Sequence, residues 1–93
     1  MEMQKTQPTE YQRLLSELSE GRTVVGAKQL RKALQRGTAR KVVLAENADP
    51  AITDPIEAMC REFHIEFAWV PSMLDLGKAC GIEVGAAAAA AVD

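Results

Sequence analysis

Aromatic side chains are scarce in this chain of 93 residues: two phenylalanines, one tyrosine and one tryptophan, 4% of the sequence. A platform of rings for stacking single-stranded nucleic acid is thereby excluded, and Trp69, inside a strand-like run, reads as a packing residue. There are two cysteines, Cys60 and Cys80, without the spacing of a metal or redox motif. Both fall on apolar stretches of helix-like sequence, so they read as reduced, buried thiols. The one histidine, His64, follows Phe63 at a helix end, where a positive charge suits the helix C-terminus. Glycines do not form a phosphate-cradling loop: Gly26 stands alone, and Gly77, Gly81 and Gly85 are separated by helix and loop. Glu46 and Asp49 form a carboxylate pair flanking a turn, but nothing of complementary type sits beside them, and they read as solvated turn acids. No metal site, cofactor site or catalytic set emerges, and the expectation is a protein that is not an enzyme. The longest apolar run, Ala86 to Val92, is too short to cross a bilayer. No basic-then-apolar leader opens the chain. No membrane association and a cytoplasmic location are therefore expected.

Acid is also missing, but only locally. Between Arg22 and Lys41 lie seven basic residues, Arg22, Lys28, Arg31, Lys32, Arg36, Arg40 and Lys41, and no acidic one. The chain holds 11 basic and 13 acidic residues in all, so the rest carries four bases against all 13 acids. The net charge of −2 argues against a polyanionic partner, and its distribution argues for one.

The length bounds the chain to a single domain over residues 1–93. Residues 1–8 are polar and unpatterned, a frayed end. Tyr11, Leu14, Leu15 and Leu18 follow helical spacing, with Thr9 as N-cap and Gly21 as stop. Thr23-Val24-Val25 is a strand. A second helix spans Ala27 to Arg36, between Gly26 and Gly37. Ala27, Leu30, Ala33 and Leu34 occupy one face, and Lys28, Arg31, Lys32 and Arg36 the other. Lys41 to Ala45 is a buried strand, and Asn47 to Pro50 a turn. Asp54-Pro55-Ile56-Glu57 reads as an N-cap, a proline at the first helical position and an acid two residues on. That helix continues through Phe63, and Ile65 to Val70 is a strand. Ser72 caps a short helix that ends at Gly81. Six alanines follow Gly85; their propensity is for helix, while too few residues remain for a well-supported one, so propensity and context disagree, and small residues would suit a strand under closely packed helices. Strands alternating with helices predict a sheet covered on both faces.

The start of the basic helix has the features of a phosphate site. A strand delivers the chain to Gly26, and the free N–H groups and positive end of the helix face outward there. Lys28 and Lys32 stand one turn apart, and the Gln29 amide can both donate to and accept from a base edge. A solvated helix usually mixes charge signs for i, i+4 pairing, and this one does not.

Three segments, in this order, resemble the L7Ae ribosomal-protein family, especially its small free-standing bacterial members. They are Gly26-Ala27-Lys28-Gln29-Leu30-Arg31-Lys32-Ala33-Leu34, Lys41-Val42-Val43-Leu44-Ala45-Glu46-Asn47-Ala48-Asp49-Pro50, and Leu76-Gly77-Lys78-Ala79-Cys80-Gly81-Ile82-Glu83-Val84-Gly85-Ala86-Ala87. The resemblance covers Thr23 to Val92. It implies an α/β fold, a three-layer α-β-α sandwich around a four-stranded mixed sheet, and it decides the alanine run after Gly85 as a strand. It also implies binding of the kink-turn, an RNA element with a sharp bend, a short bulge and tandem sheared G·A pairs. The family positions that enter the groove at the G·A pairs match Gly26, Lys28, Gln29 and Lys32. The loop that covers the bulged nucleotides matches Gly81, Ile82, Glu83 and Val84. Ala27, Arg31 and Arg36 complete the expected RNA-binding set from the basic helix itself. Many members carry Asn-Glu where this chain has Lys28-Gln29, which trades an amide contact for a phosphate contact and a carboxylate acceptor for an uncharged one.

The leading expectation is a kink-turn RNA-binding protein of ribosomal type, acting as a monomer on structured RNA, ribosomal RNA included. The alternative is a protein-interaction or stress-adapter module of the same fold. A small hydrolase built on Glu46 and Asp49 is the weakest reading.

Overall fold

A computed structural model describes residues 22–92; the expected helix between Thr9 and Gly21 and the frayed segment 1–8 lie outside them. The described elements are β1 Arg22–Val25, α1 Ala27–Arg36, β2 Ala39–Ala45, α2 Pro50–Phe63, β3 Glu66–Val70, α3 Met73–Ala79 and β4 Ala88–Val92. The strands form one sheet in the order β1-β4-β2-β3. β2 and β3 run parallel, and β4 is antiparallel to both β1 and β2.

Side-chain alternation along these strands builds two cores. Val42, Leu44, Ala88 and Ala90 point to one face, where Leu30, Ala33 and Leu34 of α1 and Ile56 and Cys60 of α2 cover them. Val43, Ala45, Ala89 and Ala91 point to the other, where Leu76 of α3 packs. This is the expected three-layer sandwich around a mixed sheet.

The alanine run forms β4, between β1 and β2, and Ala88, Ala89 and Ala90 are fully buried. Alanine favours helix by local propensity. A central strand buried on both faces overrides it, because its methyl groups let helices lie close on both sides.

α1 has the bounds its glycines predict. At its C-terminus the N–H of Gly37 reaches the carbonyls of Ala33 and Leu34, and Thr38 N–H donates to Ala33 O at 3.0 Å.

The start of α2 differs from the sequence reading. Asp49, not Asp54, is the N-cap, and its Oδ1 accepts from Ala51 N–H at 3.0 Å. Pro50 takes the first helical position, and the turn shifts to Glu46–Ala48. Pro55 therefore lies inside the helix, where its ring removes one helical hydrogen bond at a cost of about 3 kcal/mol. The earlier start adds a turn, with Ile52 N–H donating to Asp49 O at 2.8 Å, and buries Thr53. At the other end His64 adopts a left-handed conformation, φ 59°, and closes the helix through its backbone. His64 thus ends the helix where expected, and the cap is made by its backbone.

Ser72 caps α3, its Oγ accepting from Asp75 N–H at 3.1 Å. Both cysteines are free. Burial, and then the nearby Glu57 carboxylate, push the Cys60 thiol up to about 11, and burial raises Cys80 as well. Trp69 packs only in part: it sits on the edge strand β3 and stays 36% exposed.

Candidate nucleic-acid interface

The chain enters α1 through Gly26, at φ 100° and ψ 146°, a region that side-chain-bearing residues avoid. A Cβ built there would meet nothing within 4 Å. The backbone conformation demands the glycine, and the space before the helix is open. Gly26 supplies no side-chain cap, and the first turn holds no acid. Leu30 N–H is the first to find an intrahelical acceptor, Gly26 O at 3.0 Å. Among the described residues the N–H groups of Ala27, Lys28 and Gln29 find no acceptor, at the positive end of the helix dipole.

Lys28, Gln29, Arg31, Lys32 and Arg36 are all exposed, while Ala27 is half-buried against the core. Among the described residues no ion pair involves Lys28, Arg31, Lys32 or Arg36. Lys32 lies one turn along from Lys28, on the same face. Arg36 sits at the far end of α1, about 15 Å from its start by helical rise, so it extends the basic face rather than joining the cluster.

The loop after α3 is laid tightly against that helix. Ile82 N–H donates to Gly77 O at 3.0 Å, and Ala86 N–H to Met73 O at 2.9 Å. Gly77 is buried, and a Cβ there would overlap the Val84 carbonyl oxygen. The two apolar loop residues divide their work. Ile82 is half-buried and packs on the core, whereas Val84 is 67% exposed. Gly81 and Glu83 are exposed on either side of Ile82.

Sheet topology brings loop and helix start together. Antiparallel pairing sets Val25, at the end of β1, opposite Ala89 near the start of β4. The Gly26 N–H then donates to Ala88 O at 3.0 Å, joining the entry of α1 to the exit of the loop. At the same end Ala45 N–H donates to Ala87 O at 2.9 Å and Glu46 N–H to Val70 O at 2.8 Å. Gly26, Ala27, Lys28 and Gln29 therefore share one end of the sheet with the exit of the loop that begins with residues 81–84, and Arg31 and Lys32 follow within the next turn.

Asn47 is the residue the sequence did not single out. It reads as a turn former, yet its Oδ1 accepts from Met73 N–H at 2.8 Å, 26 positions along the chain. No local pattern signals a contact at that separation. The carboxylate pair has a structural explanation on one side, since Asp49 caps α2, while Glu46 is exposed. Among the described residues, no group of three or more histidines, cysteines or acids is placed to hold a metal ion, and no helix is long and apolar enough to cross a membrane.

Comparison with known proteins gives a consistent outcome. The family described as ribosomal protein L7Ae/L30e/S12e/Gadd45 matches residues 9–93. An RNA-binding protein of Geobacillus sp. (strain WCH70) is 48% identical over 75 residues, covering 81% of this chain and 92% of the relative. The large ribosomal subunit protein eL8 of Nitrosopumilus maritimus (strain SCM1) is 38% identical over 74 residues, covering 78% of this chain and 58% of that protein. Among solved structures, the Giardia lamblia 15.5kD RNA binding protein superposes with a TM-score of 0.81 at 27% identity, covering 86% of this chain and 71% of the other. The family match over nearly the whole length and the shared fold make this chain a member of the ribosomal protein L7Ae/L30e/S12e/Gadd45 family.

Proposed function

We propose that the protein binds RNA without catalysing a reaction, and that its preferred RNA is the kink-turn, in ribosomal RNA or another structured transcript. One observation carries this reading: the Gly26 N–H to Ala88 O bond, which fixes an uncapped, acid-free helix start beside a loop presenting Val84. A bent RNA offers both things these features suit, phosphates and base edges in a groove and splayed nucleotides beyond it. A straight duplex offers only the first. The relatives named as RNA-binding proteins support the same reading. One copy presents both features, so the protein acts as a monomer, in the cytoplasm.

Titration of the full chain against a kink-turn RNA and a straight duplex of equal length and charge tests it. The kink-turn binds more tightly by at least about tenfold, the size of one good base-edge contact. Equal affinities would reduce the site to a basic patch.

A second reading draws on the segment that holds α2 and β3. Residues 46–70 carry six acids and one lysine or arginine, and Ile52, Phe63 and Trp69 are exposed there. Such a segment suits a basic protein partner, and a partner held in the absence of RNA would support an adapter role.

A further inference from the structure

We infer that Asn47 is a positioning residue for RNA recognition: by holding the start of α3, it sets where loop 81–85 stands relative to the start of α1. The inference rests on the RNA-binding reading above and adds a residue that touches no RNA to it.

α3 has seven residues, too few to hold an orientation without contacts at its ends. Its N-terminus is tied twice. Ser72 satisfies the N–H of Asp75 within the segment, but a local cap cannot reach the N–H of Met73, the first residue of the helix. Asn47 Oδ1 does so from the turn after β2, at 2.8 Å. The carbonyl of the same residue, Met73, accepts from Ala86 N–H at 2.9 Å. A Cβ on Gly85 would come within 3.0 Å of Met73 Cβ. Met73 is thus held on one side by the turn and on the other by the end of the loop. Further along, Ile82 N–H reaches Gly77 O at 3.0 Å, and Gly77 admits the Val84 carbonyl against the helix. The loop follows α3 at both of its ends.

The turn is itself fixed to the sheet. Glu46 N–H donates to Val70 O at 2.8 Å, and Ala48 N–H to Ala45 O at 3.2 Å, with Ala48 buried. β2 pairs with β4, and β4 begins at Ala88, the acceptor for Gly26 N–H. A short path of hydrogen bonds therefore runs from the start of α1 through the sheet end, Asn47 and Met73 to the loop. Removing the Asn47 amide loosens the start of α3 and, with it, the seat of the loop, and leaves the basic helix where it is.

The test compares the full-length wild type, Asn47→Ala, Asn47→Ser and Asn47→Asp. Asn47→Ala and Asn47→Ser weaken kink-turn binding by roughly 3- to 20-fold, the range of a lost helix-cap contact. They change straight-duplex binding by less than about twofold and leave the salt dependence unaltered, because no phosphate contact is lost. Asn47→Asp keeps an acceptor facing a helix N-terminus and restores the kink-turn preference. Amide hydrogen exchange of Met73, Ile82 and Ala86 speeds up in the alanine and serine variants, while that of Leu30 does not. A purely structural role would lower the melting temperature and leave the ratio of the two affinities intact. That outcome, an equal loss on both RNAs, or no rescue by aspartate overturns the inference. Should the wild type itself fail to prefer the kink-turn, the functional reading falls, and exchange at Ile82 and Ala86 still decides whether Asn47 positions the loop.

Discussion

Gln29 stands between two lysines' worth of charge, Lys28 beside it and Lys32 three positions on, and carries none itself. That difference separates reading a base from holding a phosphate. Gln29→Ala should cost about 1–3 kcal/mol on a kink-turn, leave straight-duplex binding unchanged and keep the salt slope. A change in slope would make Gln29 part of the electrostatic patch. A second residue bears on stability alone. His64 holds a left-handed conformation at φ 59°, which costs a side-chain-bearing residue roughly 1–2 kcal/mol, part of which glycine returns through its freer unfolded chain. His64→Gly should therefore stabilise the protein by about 1 kcal/mol, or about 4–8 °C in Tm for a domain of this size. Kink-turn affinity should not change, since His64 ends α2 and the proposed site is built from α1 and the loop after α3. An unchanged or lower Tm in a thermal melt would show that the exposed imidazole makes up for its backbone.

Among the elements, α1 was legible in the sequence to the residue, because Gly26 and Gly37 punctuate it and its apolar and basic faces do not mix. β4 was legible only through the family resemblance: alanine by itself favours helix, and the burial on both faces that makes a strand of Ala88, Ala89 and Ala90 is tertiary. The start of α2 was not. Asp-Pro occurs at 49–50 and again at 54–55; the second pair reads as the cap and the first as part of a turn, and it is the first that caps, with Thr53 buried in the added turn. The site divides in the same way. Its charged half is a helix periodicity and could be read directly. The split between Ile82, which anchors the loop, and Val84, which presents it, depends on how Gly77 seats the loop on α3, and no spacing encodes that. The basic face of α1 makes its own prediction. If about four of its bases contact phosphates, log K should fall with log salt at a slope of roughly −3 to −4, and Lys28→Ala or Lys32→Ala should each reduce that slope by about one. The loss should be similar for kink-turn and duplex, because phosphates carry no sequence information. An affinity insensitive to salt would remove α1 from the interface.

At the scale of the whole molecule, charge is sorted rather than balanced. The segment Arg22–Lys41 holds seven bases and no acid, yet the chain as a whole stands at −2. A polyanion that contacts the start of α1 meets bases there, whereas α2, packed beside α1 on the same face of the sheet, carries exposed acids at Asp54 and Glu62. If RNA binds at the start of α1, acids on α2 should disfavour encounters that bypass it. Asp54 and Glu62 are exposed on α2, outside any ion pair among the described residues. Reversing both, as Asp54→Lys with Glu62→Lys, moves the net charge from −2 by four units toward positive and opens a second cationic surface. Straight-duplex binding should tighten by roughly three- to tenfold at low salt, since each new phosphate contact releases counterions. If kink-turn binding is confined to α1 and the loop, as proposed, it should tighten less, so the preference for the bent RNA should shrink. The difference should fade as salt screens the exposed charges. Titrations of both RNAs at two salt concentrations measure all of this. A preference ratio that stayed constant through the reversal would mean that α1 and the loop set specificity alone and that the acids serve some other end.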